Sequence, residues 1–427
     1  MSGLESEAVI DQLQRQTFRY FLHEADVATG LVPDSTVPSS PASLAVIGLH
    51  LTALPVGVER GIVTREEALA TALATLRFFR NAPHGPEPDA TGYRGFYYHF
   101  LDMQTGRRAW DSELSTMDTA LFLAGALTAA RYFDGEEREA HELRRLAHEL
   151  YGRAEWSFML AEDGALSHGW RPETGFLPYH WRGYSEALLM YLLALGSPSD
   201  PIPETSYRAF TSTYAFRRVE GIRQLYAGPL FIHQFPQIWL DARGIQDEPM
   251  RGEALDYFEN SRRATLAQQR YAERNPRGFA GYGGFCWGIT ASEGPGPGTH
   301  VIRGKKRRFA DYLARGIPYG PDDGTLAPWG AIASLPFAPE VVLPTIAHLL
   351  KNHANVWSGY GFLASFNPTF PDRRKSGWIA QKYFGLNIGP IVLMIENYRT
   401  GLIWKLMRPQ LRIGLERAGF RGGWLGS

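Results

Sequence analysis

The sequence predicts an all-α fold, a toroid of helical hairpins whose long loops gather on one rim. Three observations lead there. About ten to twelve segments carry apolar residues at helical spacing. Period-two alternation, the mark of a strand, is scarce. The loops are of two kinds, short polar ones and long ones rich in Gly, Pro and aromatics, and loops that long in a compact domain are usually functional. No shift in composition marks a linker, so residues 1–427 read as a single domain.

Taken in order, "SEAVIDQLQRQTFRYFLHEA" opens with Ser6 and places Val9, Ile10, Leu13, Phe18 and Phe21 on one helical face. "SLAVIGLHLTAL" is apolar nearly all round and should be buried. "TREEALATALATLRFFRNA" begins with Thr64 and Glu67 at capping-box spacing. "STMDTALFLAGALTAARYF", "EREAHELRRLAHELYGRAEWSFML" and "YSEALLMYLLALG" follow, the last with Gly196 as its C-cap. Four more helical runs come later: "GPLFIHQFPQIWLDARG", "DYFENSRRATLAQQRYAERN", "PEVVLPTIAHLLKNHA" and "GPIVLMIENYRTGLIWKLM". "GALSHGW" and "THVIRG" suit small extended ribbons. Between the helices lie the long loops "YRGFYYHFLDMQTGRRAWDSE", "SHGWRPETGFLPYHWRGYSE", "YGGFCWGITASEGPGPGTH", "GIPYGPDDGTLAPWG" and "GFLASFNPTFPDRRKSGW".

Composition excludes several functions. Lys plus Arg is 44 and Asp plus Glu is 44, so net charge is zero and nothing points to nucleic acid or an anionic membrane. "RGKKRRF" reads as a solvated turn rather than a nucleic-acid patch. The late apolar stretch carries Glu396, Asn397 and Arg399, too charged for a membrane span. A single Cys, Cys286, excludes an intrachain disulfide and a Cys-based zinc site, and the 12 His are dispersed, so no metal site is expected. No cofactor motif appears: "GYGGF" lacks the context of a dinucleotide fingerprint, and there is no Walker, His-Glu-x-x-His or GxSxG motif. The start "MSGLESEAVIDQLQ" has no secretory pattern, which places the chain in the cytoplasm, or in the periplasm if the native start differs. Nothing in the sequence specifies an oligomeric state.

The segments "GFYYHFLDMQTGRRAWDSELSTMDTALFLAG", "SHGWRPETGFLPYHWRGYSEALLMYLLALGSP", "YAGPLFIHQFPQIWLDARGIQD", "DYFENSRRATLAQQRYAERNP", "CWGITASEGPGPG", "PYGPDDGTLAPW" and "GPIVLMIENYRTGLIW" occur in an order that resembles the bacterial glucoamylase-like glycoside hydrolase family. The resemblance runs from about Phe18 to Trp424. It implies an (α/α)6 toroid and a site for a glucan or gluco-oligosaccharide. Characterised relatives include β-1,2-glucanases, and a related domain of cyclic β-1,2-glucan synthase is a transglycosylase. The expected activity is therefore hydrolysis of β-1,2-glucan, with transglycosylation, another linkage or glucan binding without catalysis as alternatives.

Glycoside hydrolysis needs one carboxyl group to protonate the leaving oxygen and another to activate water or attack the sugar. Glu186 in "PYHWRGYSEALLMY" is the first choice for the acid, crowded by Tyr179, His180, Trp181 and Tyr184. It is expected in the first turn of a helix. There the dipole and Arg182 favour ionisation, so burial must win. Ser115 and Asp118 have capping-box spacing, and on residues alone Asp118 only closes a helix. The resemblance places essential acids in this motif, which ranks Glu113 with Asp111 and Asp118 as site residues. Asp372 is a possible base, or a turn residue after Pro371. Asp322 and Asp323 suit turn chemistry but stand near Tyr319 and Trp329, where Asp323 could hold a sugar hydroxyl. Glu293 has the same character, and Glu396, inside an apolar helix, suits a structural ion pair. A pyranose offers apolar faces for stacking and a rim of hydroxyls. Tyr98, His99, Trp110, His168, Trp170, Tyr179, Trp181, Arg182, Trp287, Tyr319 and Trp329 are the binding candidates, some to line the cleft and others to pack beneath the loops. Inversion is expected, because no glucosyltransferase module accompanies the domain. An inverting pair of carboxyl groups stands about 6.5–9.5 Å apart, a retaining pair about 5–5.5 Å.

Overall fold

Six helices wall an inner ring, and their outer partners precede them in the chain. The computed structural model describes residues 3–371 and 377–426. The chain begins with α1 (Gly3–Glu24), α2 (Leu44–Glu59), α3 (Arg65–Asn81), α4 (Thr116–Tyr132), α5 (Arg138–Arg153), α6 (Leu188–Leu195) and α7 (Glu204–Thr211). It continues with α8 (Pro236–Trp239), α9 (Glu248–Gly252), α10 (Tyr257–Arg274), α11 (Pro328–Ile332), α12 (Pro339–Asn352), α13 (Gly385–Arg399) and α14 (Leu402–Arg417). Helix α2 packs on α4, α4 on α6, α6 on α8, α11 on α13, and α13 returns to α2. The Gln234 amide, just before α8, bridges to the Gly330 carbonyl of α11 at 2.6 Å and completes the ring. The result is an (α/α)6 toroid, with α14 lying across α4, α6, α8 and α13 at their C-terminal end.

Local chemistry explains the helices. Inner helices α2, α4, α6 and α13 are buried on nearly every face, as an apolar ring requires. The Thr64–Glu67 capping box at α3 is present in both directions. Gly48 and Gly125 let α2 and α4 touch backbone to backbone. A Cβ on Gly48 would stand 2.3 Å from the Leu121 carbonyl, and one on Gly125 would stand 2.2 Å from the Gly48 carbonyl. One continuous cluster of buried apolar residues runs from Ile10 to Phe420.

Three sequence expectations are corrected. The late apolar run is two helices, because Gly401 at φ +66° turns the chain between α13 and α14. "GPLFIHQFPQIWLDARG" gives a 3₁₀ turn at Leu230–His233 and the short α8, divided at Pro236, which has no N–H to continue the ladder. Glu186 does not lie in the first turn of α6. It occupies a turn just ahead of the cap at Ala187. Strands are short, as expected. The longest pairing joins Gly298–Ile302 to Lys305–Phe309, so "RGKKRRF" forms a hairpin arm.

Glu396 is fully buried and sits where the first and last inner helices meet. Arg60, the C-cap of α2, binds it through two contacts of 2.8 Å. The Gln14 amide (3.2 Å) and the Thr400 hydroxyl (2.7 Å) also donate to it. Removing one partner would strand the other charge in the interior. We expect Glu396→Ala to lower the unfolding free energy by about 3–5 kcal/mol, read from urea unfolding of purified protein. A loss below about 1 kcal/mol would assign the pair only the weight of a surface ion pair.

Candidate active site

The N-terminal ends of α4 and α13, and the segments leading into α6, α8 and α11, converge on one chamber. Ser115 caps α4: its hydroxyl accepts the Asp118 N–H at 3.0 Å and donates a short bond to the Asp118 carboxylate. The expected cap is therefore made, and Asp118 keeps its other oxygen, Oδ1, 3.6 Å from His99 Nε2. The opposite ring nitrogen of His99, Nδ1, lies 3.1 Å from Glu113 Oε1. Arg171 approaches the second oxygen of Glu113 at 3.7 Å. A three-stranded ribbon (Leu114–Ser115, Gly169–Arg171, Gly175–Phe176) sets that approach, with Leu114 opposite Trp170 and Ser115 opposite Gly169. His99 is itself fixed. Its ring stacks on Phe100 (4.0 Å), and its carbonyl accepts the first N–H of α2.

Glu186 stands in the same chamber, whose volume is about 300 Å³ and whose walls include Trp181, His168, Phe231, Phe235 and Trp329. Burial pushes its carboxyl up to about 7, the Asp118 charge adds to this, and its own backbone N–H opposes it. Arg182 does not reach it. That guanidinium is held by Asp163 at 2.7 Å, together with His180. The opposing charge expected from sequence is thus engaged elsewhere. For His99, burial disfavours the charged ring, but Asp118, Glu113 and Asp34 outweigh burial and raise it to about 9. The imidazolium in turn holds Glu113 below the usual carboxylate range against the cost of burial.

A second cavity of about 570 Å³ adjoins the first and shares His99, Tyr312, Leu386 and Asn387 with it. Trp110, Asp34, Glu293 and Lys382 also line it. Burial pushes the Asp34 carboxyl up to about 6, with the Asp118 charge adding and His99 and Lys382 opposing. Asp34, Tyr312, Lys382 and Asn387 were not among the sequence candidates. The only local signal for Asp34 was its position in the Pro- and Ser-rich "LVPDSTVPSS". Trp110 and Asp111 are consecutive non-glycine residues at positive φ (56° and 48°). That turn lays Trp110 on Phe100 (5.0 Å) inside the outer cavity and leaves Asp111 exposed.

Glu113, Asp118, Glu186, His99, Trp110, His168, Trp181 and Trp329 therefore line the cleft. Glu293, the weaker acid candidate, lines the outer cavity and pairs with Lys382 at 2.7 Å, whereas Asp111 and the remaining described candidates line neither cavity. Tyr98 is buried under the Arg108 guanidinium (4.8 Å). Trp170 packs on Tyr93 and Phe158 (5.5 and 6.0 Å). Trp287 is in the core, its indole donating to Thr345 at 2.8 Å. Tyr179 is exposed beside His168, and Tyr319 is exposed under Arg217. Asp323 is bound by the fully buried Arg315 (2.7 Å), and Asp322 accepts the Tyr271 and Tyr282 hydroxyls. Asp372 lies outside the described residues.

Comparison with known proteins gives a consistent picture. Residues 178–410 match the glycoamylase family, described as "Putative glucoamylase". A crystal structure from Bacteroides uniformis under the same description is 30% identical, covers 98% of both chains and superposes with a TM-score of 0.87. An endo-β-1,2-glucanase from Chitinophaga pinensis, solved with sophorotriose and glucose, is 26% identical over 98% of this chain and 99% of its own, with a TM-score of 0.83. An exo β-1,2-glucooligosaccharide sophorohydrolase (non-reducing end) from Parabacteroides distasonis is 28% identical over 97% of this chain. The chain spans 58% of the length of that curated relative.

The His99 cluster has a thermodynamic consequence. Its folded-state pKa, about 9, lies above its ordinary value of 6.5. The stabilisation is therefore complete below pH 6.5 and is lost as pH rises through 9. We expect wild type to be more stable than His99→Gln at pH 6, and the gap to close by pH 9.5, measured by urea unfolding across that range. A gap that stays constant with pH would show that His99 is neutral in the folded protein.

Proposed function

The chain belongs to the glycoamylase family, and on that premise we propose that it is a glycoside hydrolase that cleaves β-1,2-linked glucan. The observation that carries the reading is a buried acid, its carboxyl raised to about 7, in one chamber with Asp118 and with a Glu113 held low by His99. Glu186 has a carboxyl near 7 and no hydrogen bond from another side chain among the described residues. It can hold a proton at neutral pH and give it to a leaving sugar oxygen. Asp118 lines the same chamber and is the acid whose charge Glu186 feels. The β-1,2-glucan substrate is supported by the Chitinophaga and Parabacteroides relatives.

The walls suit a sugar chain. Trp181, Trp329 and His168 offer flat faces in the inner chamber, and Trp110 and Tyr312 do so in the outer cavity. The two cavities meet at His99 and Tyr312, so a glucan can lie across both with its scissile bond at Glu186. Asp118 is held at both oxygens, by the Ser115 hydroxyl and by His99. A carboxylate clamped in that way suits orienting a water better than attacking a sugar carbon, which favours single displacement with inversion.

We expect Glu186→Gln to retain the fold and lose at least about a hundredfold in turnover on linear β-1,2-glucan, measured by reducing-end release. Wild-type kcat/KM should fall as pH rises through about 7, where Glu186 gives up its proton. Near-normal turnover of the variant would remove Glu186 from the acid role. Tight binding of the glucan without release by wild type would point to a binding protein instead. NMR of the first sugar released should show the α anomer. An initial β anomer, or transfer products, would establish retention and overturn the single displacement.

A further inference from the structure

One cysteine among dispersed histidines excluded a Cys-based zinc site on sequence, but the fold gathers Cys286 with two of those histidines. The cysteine closes a tight turn in which Gly283 and Cys286 exchange backbone hydrogen bonds of 3.1 and 3.0 Å. Its sulfur lies 3.8 Å from His353 Nε2, 67 residues away in the chain. His353 caps α12, and His348 lies in the last turns of the same helix. One ligating atom from each of Cys286, His348 and His353 falls within 4.8 Å of the other two. We propose that these three side chains bind one zinc-class divalent cation, at a site separate from the glucan cleft.

The donor set fits that class of ion. One thiolate and two imidazoles form a borderline-soft set that selects zinc over magnesium or calcium. Zinc–sulfur and zinc–nitrogen bonds of about 2.3 and 2.0 Å in a tetrahedron separate sulfur and nitrogen by about 3.5 Å. The observed 3.8 Å is close to this, and a ring nitrogen of His348 lies within 4.8 Å of both partners. The Asn352 amide lies 3.1 Å from His348 Nδ1. It also donates to the His348 carbonyl at 3.2 Å, which holds the amide beside the ring. A cavity of about 530 Å³ lined by Phe285, His348, Lys351 and Asn352 gives an approach from solvent. Binding replaces the thiol proton, which leaves to solvent as the sulfur–metal bond forms.

None of the glucan-cleft residues belongs to this group. The ion would tie the 283–286 turn to the end of α12. His353 packs on Phe366 (5.0 Å), and Trp287 next to Cys286 already donates to Thr345 of α12. The site would therefore be a clamp on loop packing rather than part of the hydrolytic machinery.

The test uses the full chain, free of tags, stripped with chelator and dialysed. Titration with Zn²⁺ should saturate at one equivalent by elemental analysis and raise the thermal midpoint. Co²⁺ should give an intense thiolate-to-metal charge-transfer band. Cys286→Ser should abolish that band, and His348→Gln and His353→Gln should each weaken Zn²⁺ binding by at least about a hundredfold. His348 is partly exposed, so its variant keeps the test valid if Cys286→Ser fails to fold. Stoichiometry well below one, a cobalt spectrum without a thiolate band, or equal affinity in the histidine variants would overturn the proposal and leave a thiol–imidazole hydrogen bond.

Discussion

Closure of the helical ring is the constraint on which the rest depends. Asp34, His99, Glu113, Asp118, Glu186, Tyr312 and Asn387 come from points spread along most of the chain, yet they line two joined cavities. Only a ring that closes, first inner helix on last, brings them together. Two kinds of contact make the closure. At Gly48 and Gly125 the absence of side chains lets α2 and α4 meet at backbone distance. At the α2–α13 seam a fully buried carboxylate is satisfied by Arg60, Gln14 and Thr400, drawn from or next to α1, α2 and α13. A buried charge adds little net stability, but it tolerates no misalignment, because each missing partner leaves a costly group behind. The seam therefore fixes register at the end of the ring opposite the loops, and register there sets the geometry of the rim.

Within the rim, the same low-polarity surroundings give neighbouring acids different fates. Glu113 and Asp118 flank one imidazolium, which holds Glu113 below the usual carboxylate range despite burial. Glu186 is not within its hydrogen-bonding reach, and burial raises its pKa. Asp34, at the outer cavity, falls between the two, with desolvation partly offset by His99 and Lys382. The division between proton holder and anion thus follows from which carboxyl lies next to His99, and the identity of the acids as Asp or Glu matters less than that placement.

The parts of this arrangement that were legible in the sequence are those set by near neighbours. The Thr64–Glu67 box and the Ser115–Asp118 cap depend on residues three apart, and both are made. The apolar helices were readable from their period. What was not readable depends on distant partners. Trp287 and Trp329 both lie in Gly- and Pro-rich stretches of sequence, but one finds Thr345 in the core and the other, on the short α11, lines the chamber. Tyr98 and His99 are adjacent, and only His99 faces the cleft, because the carboxylates that hold it arrive from the segment at 113–118. Asp34 carried no motif, since its role arises only when the end of the chain brings Lys382 and Asn387 beside it. Gly401 alone decided that one apolar run becomes two helices, and a glycine there is equally compatible with continuing one.

The chamber also carries a deficit that bears on affinity. The indole N–H groups of Trp181 and Trp329 are buried, line the chamber and have no protein partner among the described residues. An unsatisfied buried donor costs about 1–3 kcal/mol. A pyranose carries its equatorial hydroxyls around the ring edge, near the plane of the ring, so a sugar edge that meets an indole edge supplies an acceptor for such an N–H. On the proposed function, a sugar hydroxyl that reaches either donor recovers free energy forgone on folding. The surrounding packing supports this. Trp181 is stacked on His168 (3.9 Å) and Trp329 is held edge-on by Phe235 (6.1 Å), so both rings are fixed before a ligand arrives. A wall held in this way selects by shape, and on the proposed function it would present the glycosidic bond to Glu186 without first having to order the site.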